Sequence, residues 1–120
     1  TADKFARPED FAPDGSFIPQ PALPDMLNVT SAFFCRPVTG GQRWSEHSYG
    51  TAIDINPVQN PYIRKGEVIP INGEVDRDPE RVGTITDGSP PVVSMEDAGM
   101  TWGGHWRSLK DYMHFSLNGR

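Results

Sequence analysis

The sequence predicts a small α+β domain in which a mixed or antiparallel sheet is combined with short helices and long loops. Two segments, residues 51–56 and 112–117, alternate apolar and polar residues with the period of a strand. Residues 91–98 form a short helix-compatible run. The chain contains 12 Gly and 12 Pro, which repeatedly interrupt regular structure and are not typical of a helical bundle. At 120 residues the chain has the length of one domain.

The N-terminal quarter of the chain differs in composition from the rest. Residues 1–29 contain five prolines, so we expect an extended arm lying on a domain that spans residues 30–120, with a disordered linker as the alternative. The run T-S-A-F-F-C-R at residues 30–36 is apolar and rich in strand-forming residues, which predicts a buried strand. Such a strand would place Arg36 at a loop edge and leave Cys35 as an inert buried thiol.

The remaining elements follow from periodicity and turn residues. In residues 51–56, period two places Ile53 and Ile55 on the core face and Asp54 on the opposite face. An Asn-Gly pair within residues 68–75 predicts a small hairpin, with Pro70 keeping it at a sheet edge.

Two further elements are expected in the last third of the chain. A short helix at residues 91–98 should end at Gly99. In residues 112–117 the alternation places His114 on the polar face, and we expect a helical turn at residues 108–111, with a bend at residues 110–112, just before this strand.

Composition excludes several classes of protein. Lys and Arg number 11 against 16 Asp and Glu, a net charge of −5, so we expect no nucleic-acid partner. No apolar run approaches the length of a membrane-spanning helix. A single cysteine permits no internal disulfide. We expect a monomer.

A histidine and an acid on adjacent elements predict a metal site. His47 lies on the loop before the strand at residues 51–56, and Asp54 interrupts that strand although strand propensity disfavours aspartate. Imidazole nitrogen and carboxylate oxygen are ordinary zinc ligands, and a catalytic zinc site uses three protein ligands. His114 is the best third candidate, because it lies on the polar face of the last strand.

Two aromatic or imidazole side chains could also belong to a site. Trp102 is the tryptophan we expect to line a substrate cleft. His105 could be read as a fourth ligand, but a closed four-ligand site would lose the position that a catalytic centre keeps open, so we expect a surface residue.

Two motifs resemble a known family. The segment S-E-H-S-Y-G-T-A-I-D satisfies the pattern S-x-H-x-x-G-x-A-x-D, and D-Y-M-H-F follows near the end of the chain. The stretches SAFFCRPVTG, WSEHSYGTAIDINPVQNPY and WGGHWRSLKDYMHFSL extend the likeness over roughly residues 28–117. Together they resemble the VanY-like D-alanyl-D-alanine carboxypeptidase and L-alanyl-D-glutamate endopeptidase family of zinc peptidases. This resemblance implies the hedgehog/D,D-peptidase fold.

The resemblance also implies residue roles. His47, Asp54 and His114 would bind Zn²⁺, and Asp111 would be the general base that takes a proton from water. Arg36 would stabilise the oxyanion of the tetrahedral intermediate, and Ser45 would contact the substrate.

The implied substrate is the peptide stem of peptidoglycan. Asp111 favours the L-Ala-D-Glu endopeptidase branch, because the carboxypeptidase branch usually has Glu at this position. A D-Ala-D-Ala carboxypeptidase is the alternative within the family, and a non-catalytic zinc-stabilised binding domain is the alternative outside catalysis, although such a domain needs no base at residue 111. A wall-associated structural module with a vestigial site is disfavoured by the retained ligands, base and arginine. We expect an extracytoplasmic location at the cell wall, as a secreted bacterial enzyme or a phage-encoded lysin.

Overall fold

The protein combines two small antiparallel sheets with one α-helix and short 3-10 helices, so the α+β prediction is confirmed. The structure, a computed structural model, describes residues 30–38 and 40–120; the expected arm at residues 1–29 lies outside the described residues, as does Thr39. The strands are β1 (Ala52–Asp54), β2 (Tyr62–Arg64), β3 (Glu67–Ile69), β4 (Thr101–Trp102), β5 (Lys110–Asp111) and β6 (His114–Ser116). The helix α1 spans Pro90–Asp97, and 3-10 helices span Glu46–Tyr49 and Gly103–His105.

The first sheet has the strand order β1-β6-β4 and separates the core from the polar side of the domain. Ile53 pairs with Phe115 in the β1–β6 register, and Phe115 pairs with Trp102 in β4. Phe115 and Trp102 are buried with Ile85 and Val92 in the hydrophobic core, against which Ile53 also packs. The alternation expected for residues 51–56 and around His114 is therefore confirmed within these strands.

The second sheet has the order β3-β2-β5, and its hairpin turns earlier than expected. The prediction of a hairpin at residues 68–75 was wrong: β2 and β3 are joined at Lys65-Gly66, with Arg64 paired to Glu67. Gly66 has a φ of 83°, which a two-residue hairpin turn requires and glycine adopts without strain. Asn72-Gly73 forms a separate turn after β3, where Gly73 donates its N–H to the carbonyl of Pro70.

The expected short helix is confirmed within one residue at each end. Ser89 precedes α1 in an extended conformation, and proline occupies the first helical positions. Gly99 follows the helix with a φ of 88°. Val92 is the helical residue buried in the core, at 1% exposure. No helix in residues 30–38 or 40–120 has both the length and the apolar character that crossing a bilayer requires.

The buried strand expected at residues 30–36 was wrong. The segment pairs with β1 only through an isolated bridge between Ser31 and Asp54, and it lies on the surface, with Phe33 68% exposed. Cys35 is exposed as well, so the expectation of a buried thiol was also wrong. The sequence has strand character, but no second layer of the described structure covers this segment. An edge segment with one side in solvent can have the same sequence pattern as a buried strand.

The approach to the last strand also differs from the expectation. Residues 110–111 form β5 instead of the end of a helical turn, and the chain turns at Tyr112-Met113. Because β5 pairs with β2 whereas β6 pairs with β1, this turn transfers the chain from one sheet to the other. The bend therefore exists, about one residue later than expected.

The buried side chain of Asn60 forms hydrogen bonds that hold the long connection between β3 and α1 in place. Asn60 is 0% exposed, and its amide nitrogen donates to backbone carbonyls that include that of Gly83, at 2.8 Å. Its Oδ1 accepts from the backbone N–H of Ile85 at 2.7 Å and from Arg77 Nη2 at 3.1 Å. The Arg77 guanidinium also lies 4.0 Å from the centroid of the Tyr112 ring. Asn60 thus joins the connection to the turn between the sheets.

We expect Asn60→Ala to destabilise the domain by about 2–4 kcal/mol, because several buried donors and acceptors would lose their partners at once. Urea unfolding followed by tryptophan fluorescence measures the change. Asn72→Ala is the matched control, since Asn72 is exposed and should shift stability by less than about 0.5 kcal/mol. Equal stability of the two variants would show that the Asn60 contacts contribute nothing.

Candidate metal centre and active site

The pairing of β1 with β6 places Asp54 directly opposite His114. Opposed residues of an antiparallel pair project from the same face of the sheet. Since Ile53 and Phe115 occupy the core face, Asp54 and His114 project from the other face. Two residues 60 positions apart are thereby held as immediate neighbours.

His47 reaches the same place from the 3-10 helix Glu46–Tyr49, which immediately precedes β1. Ser45 caps this helix, its hydroxyl accepting the backbone N–H of His47 at 3.4 Å. Gly50 ends it with a φ of 69°, a left-handed conformation that glycine adopts without strain. Capping at both ends holds a short turn that propensity alone would not stabilise, and His47 is left only 2% exposed.

The side chains of His47, Asp54 and His114 converge on one point. His47 Nε2 lies 3.2 Å from Asp54 Oδ2, and His114 Nδ1 lies 3.1 Å from Asp54 Oδ1. The two ring nitrogens are 3.2 Å apart. All three ligand atoms lie within 4.8 Å of one another, so this group could hold a metal ion.

The second nitrogen of each histidine lies within hydrogen-bond distance of a main-chain oxygen. His47 Nδ1 lies 2.8 Å from the carbonyl oxygen of Ala32, and His114 Nε2 lies 2.6 Å from the main-chain oxygen of Arg120. These oxygens only accept, so those ring nitrogens carry the hydrogen, and in the neutral form each ring presents the lone pair of its other nitrogen to Asp54 and to the other ring. Three acceptors facing one another need a shared cation. Such outer partners are typical of metal-binding histidines.

The charges of the group favour a cation in the same way. Burial alone would raise the pKa of Asp54, but its contacts with His114 and His47 outweigh burial and lower the pKa to about 2. Burial alone would lower the pKa of His114, yet the hydrogen bond to Asp54 and the charge of Asp111 raise it. Both shifts mean that the space between these side chains stabilises positive charge, whether a proton or a metal supplies it.

Asp111 faces this group from the second sheet. It pairs with Tyr62 across the β2–β5 register, and its Oδ1 has no hydrogen-bond partner within the described residues. Burial, followed by the charge of Asp54, raises the pKa of Asp111 to about 7. Gly103 permits this placement, because a Cβ there would lie 2.5 Å from the backbone oxygen of Asp111.

A cavity of about 400 Å³ contains most of the residues expected in the site. The sequence-predicted residues that line it are His47, Asp54, His114, Asp111, Arg36 and Ser45. Arg36 is held at the entrance, where Nη1 donates to the Pro37 carbonyl at 3.1 Å and the guanidinium lies 5.7 Å from the Phe34 ring centroid. Residues expected to bind metal, accept a proton and stabilise an oxyanion therefore share one cavity.

Trp102 is the predicted site residue that the structure places elsewhere. It is 3% exposed in the hydrophobic core, and its Nε1 donates to the Tyr112 carbonyl at 2.8 Å. Trp102 is buried because it pairs with Phe115 of β6, whose side chain lies in the hydrophobic core. Trp106 lines the cavity instead, with its ring centroid 5.4 Å from that of His114. Its Nε1 finds no hydrogen-bond partner in the described part of the chain.

His105 lies outside the metal group. Its Nε2 is 2.9 Å from Asp87 Oδ1, and its Nδ1 is 3.4 Å from Glu96 Oε1, on the exposed side of the domain. The surface position expected for His105 is what the structure shows.

Sequence reasoning missed several residues of the cavity, among them Tyr62, Arg43 and Arg64. Period two along β2 puts Tyr62 and Arg64 on one face, which was readable from the sequence. The pairing of β2 with β5, which turns that face toward Asp111, was not. The backbone carbonyl of Ala32 was missed too, because the segment that carries it was interpreted as a core strand.

Comparison with known proteins identifies the family. No solved structure shows significant similarity to this chain. The sequence profile of a peptidase family, described as D-alanyl-D-alanine carboxypeptidase, matches residues 39–117, more than half of the 120 residues. The match includes both motifs that supply the cavity with His47, Asp54, Asp111 and His114. The chain therefore belongs to the D-alanyl-D-alanine carboxypeptidase family of peptidases.

Proposed function

We propose that the protein is a zinc-dependent peptidase that hydrolyses bonds within the peptide stems of peptidoglycan, acting as an L-Ala-D-Glu-type endopeptidase. The observation that supports this proposal best is the shared cavity, in which the His47, Asp54 and His114 donor group lies beside the unpartnered carboxylate of Asp111. Family membership supports peptide hydrolysis independently of this geometry.

Zinc fits the donor set better than a hard cation does. Two imidazole nitrogens and one carboxylate oxygen are typical zinc ligands, whereas magnesium and calcium prefer oxygen alone. Ligands at roughly 2.0–2.1 Å from a tetrahedral zinc are separated by about 3.3–3.4 Å. The two ring nitrogens are 3.2 Å apart, close to this value, and each lies 3.1–3.2 Å from a different oxygen of Asp54, so the donor atoms can share one ion. When bound, zinc supplies Lewis acidity that makes water a stronger acid and polarises the scissile carbonyl.

The residues of the chain provide the proton transfers and the charge stabilisation. Asp111 accepts a proton from the attacking water and returns it to the nitrogen of the leaving amine; a pKa near neutrality suits both steps. Arg36 stabilises the negative charge that develops on the carbonyl oxygen of the tetrahedral intermediate. Both side chains face the same cavity, and the Arg36 charge acts to lower the pKa of Asp111.

Asp111 also supports the choice of reaction. Aspartate at this position is associated with the endopeptidase branch of the resembled family, so the D-Ala-D-Ala carboxypeptidase remains the second candidate. A binding domain without catalysis would have no use for an unpartnered buried carboxylate oxygen beside the metal group. Since the substrate lies outside the cytoplasm, we place the protein at the cell wall, as a secreted bacterial enzyme or a phage-encoded lysin.

The purified domain should bind one zinc ion per chain. His114→Ala should abolish binding because it removes a ligand, and His105→Ala should retain it because His105 lies outside the donor group. Imidazole and carboxylate coordinate only when unprotonated, so occupancy should fall on acidification. Metal analysis after reconstitution at neutral and at acidic pH measures this. Metal-free protein at neutral pH, with the fold intact by circular dichroism, would contradict a zinc site.

Digestion of purified peptidoglycan should generate new amino termini at D-Glu, identified by mass spectrometry. Asp111→Asn preserves size and removes basicity, so its rate should fall by on the order of a hundredfold or more while zinc content is unchanged. Release of terminal D-Ala alone would support the carboxypeptidase instead. Undiminished cleavage by the variant would remove Asp111 from the mechanism.

Arg36→Ala should lower turnover by roughly 10²–10³-fold, the scale measured for loss of one oxyanion donor. Zinc content should not change, because Arg36 is not among the ligands. Arg107→Ala is the control: Arg107 is an exposed cation that does not line the cavity, and its loss should leave turnover unaltered. Equal activity of both variants would reduce Arg36 to a surface charge.

A further inference from the structure

The cavity of the proposed active site is richer in positive charge than the chain around it. The whole chain has a net charge of −5 and contains 11 Lys and Arg. The arginines that line the cavity are Arg36, Arg43, Arg64 and Arg120. The carboxylates that line it are Glu46, Asp54 and Asp111. A concentration of arginines in one concave site of an acidic protein favours an anionic ligand.

Within residues 30–38 and 40–120, the carboxylates of the cavity form no ion pair with these arginines. Asp54 lies between the two histidines of the metal group. Glu46 Oε2 accepts a hydrogen bond from Thr51 Oγ1 at 2.9 Å, and the charge of Arg43 acts on Glu46 without forming an ion pair. Arg43 and Arg64 make no ion pair or side-chain hydrogen bond with any residue in 30–38 or 40–120.

Two other arginines of the domain, Arg81 and Arg77, are held by contacts within the fold. Arg81 contacts Asp76 and Glu74 through ion pairs at 2.6 and 2.7 Å. Arg77 donates to Asn60 and stacks on Tyr112. By contrast, the guanidinium groups of Arg43 and Arg64 are exposed and, within the described residues, unpaired. They lie at the mouth of the proposed catalytic cavity and are available to bind a ligand.

Arg64 is placed by the second sheet. It lies two residues after Tyr62 on β2, so both side chains project from the same face of the strand. Tyr62 pairs with Asp111 across the sheet. Arg64 therefore follows the general base along one wall of the cavity, about 7 Å further out at the strand rise of roughly 3.4 Å per residue.

Arg43 is placed by the loop that precedes the 3-10 helix Glu46–Tyr49, outside both sheets. Its carbonyl accepts the backbone N–H of Val38 at 2.8 Å, and the neighbouring Trp44 forms a bridge with Pro37. At the base of this loop the N–H of Ser45 donates to the carbonyl of Arg36 at 3.0 Å. These contacts tie the residues on either side of Arg43 to the backbone next to Arg36, and Arg43 lines the cavity from this segment.

We propose that Arg43 and Arg64 form a carboxylate-binding subsite that selects peptide substrates with a free carboxylate close to the scissile bond. This inference rests on the proposed peptidase function. Peptidoglycan stems offer two such carboxylates, the carboxyl of D-Glu that is not in the peptide bond and the C-terminal carboxyl of the stem. Guanidinium groups bind either one through charge-assisted hydrogen bonds, which a neutral carboxamide cannot replace.

Four synthetic stem peptides test the subsite and identify the source of the carboxylate. One peptide has a free carboxyl at D-Glu, one at the C-terminus, one at both positions and one at neither. Each of these two positions that lacks a free carboxyl has a carboxamide instead. The parent enzyme should prefer the free carboxylate at one position by roughly tenfold to a hundredfold in kcat/KM. Titration calorimetry with the zinc-loaded Asp111→Asn variant, which turns over slowly, should show the same preference in Kd.

Arg43→Gln and Arg64→Gln should each remove most of that preference without changing zinc content. Arg107→Gln, which alters an exposed cation outside the cavity, should preserve it. Equal binding of the four peptides by the parent, or a preference that both variants retain, would overturn the subsite. A preference in Kd that depends on Arg43 and Arg64, in a parent that cleaves no peptide, would support the subsite and contradict the proposed function.

Discussion

The register of β1 against β6 is the constraint on which the rest of the site depends. One face of this strand pair places Ile53 and Phe115 in the core, and the other face places Asp54 opposite His114. A shift of one residue would bring polar side chains into the core and apolar ones into the cavity. The burial of Phe115, at 0% exposure, therefore holds two of the three candidate metal donors, Asp54 and His114, in position. One face of the same strand pair packs in the core, and the other carries candidate metal ligands.

The second sheet adds Asp111, the proposed general base, and the turn at Tyr112-Met113 makes this placement possible. The chain leaves β5 in one sheet and enters β6 in the other, so Asp111 and His114 face one cavity although they are three residues apart. Arg77 stacks on Tyr112 and thereby fixes the turn to the connection that Asn60 organises. Gly103 leaves room for the Asp111 backbone. The position of Asp111 thus depends on contacts far from His47, Asp54 and His114.

The exposed segment at residues 31–36 has a structural role that its surface position conceals. The Ala32 carbonyl accepts from His47 Nδ1, and the N–H of Phe34 donates to the His47 carbonyl at 3.1 Å. Ser48 Oγ accepts from the N–H of Arg36 at 3.1 Å, which ties the entrance arginine to the same 3-10 helix. An edge segment that buries little therefore orients His47, a candidate metal donor, and Arg36, a candidate catalytic residue. Its strand-like composition reflects pairing at an edge, and its apolar side chains lie largely in solvent.

The sequence by itself determined the local features: the period-two alternation around Asp54 and His114, the helix ending before Gly99, and a histidine–aspartate spacing typical of a metal site. These features depend on neighbouring residues, and the family motifs lie within them. Only the tertiary structure decided that Trp102 packs in the core and Trp106 lines the cavity, that residues 30–36 lie on the surface, and that the hairpin turns at Lys65-Gly66. It also decided that Arg43 and Arg64 share a cavity with Asp111. The physical reason is that strand partners and covering layers come from residues distant in the chain, and periodicity does not specify which face another element will cover.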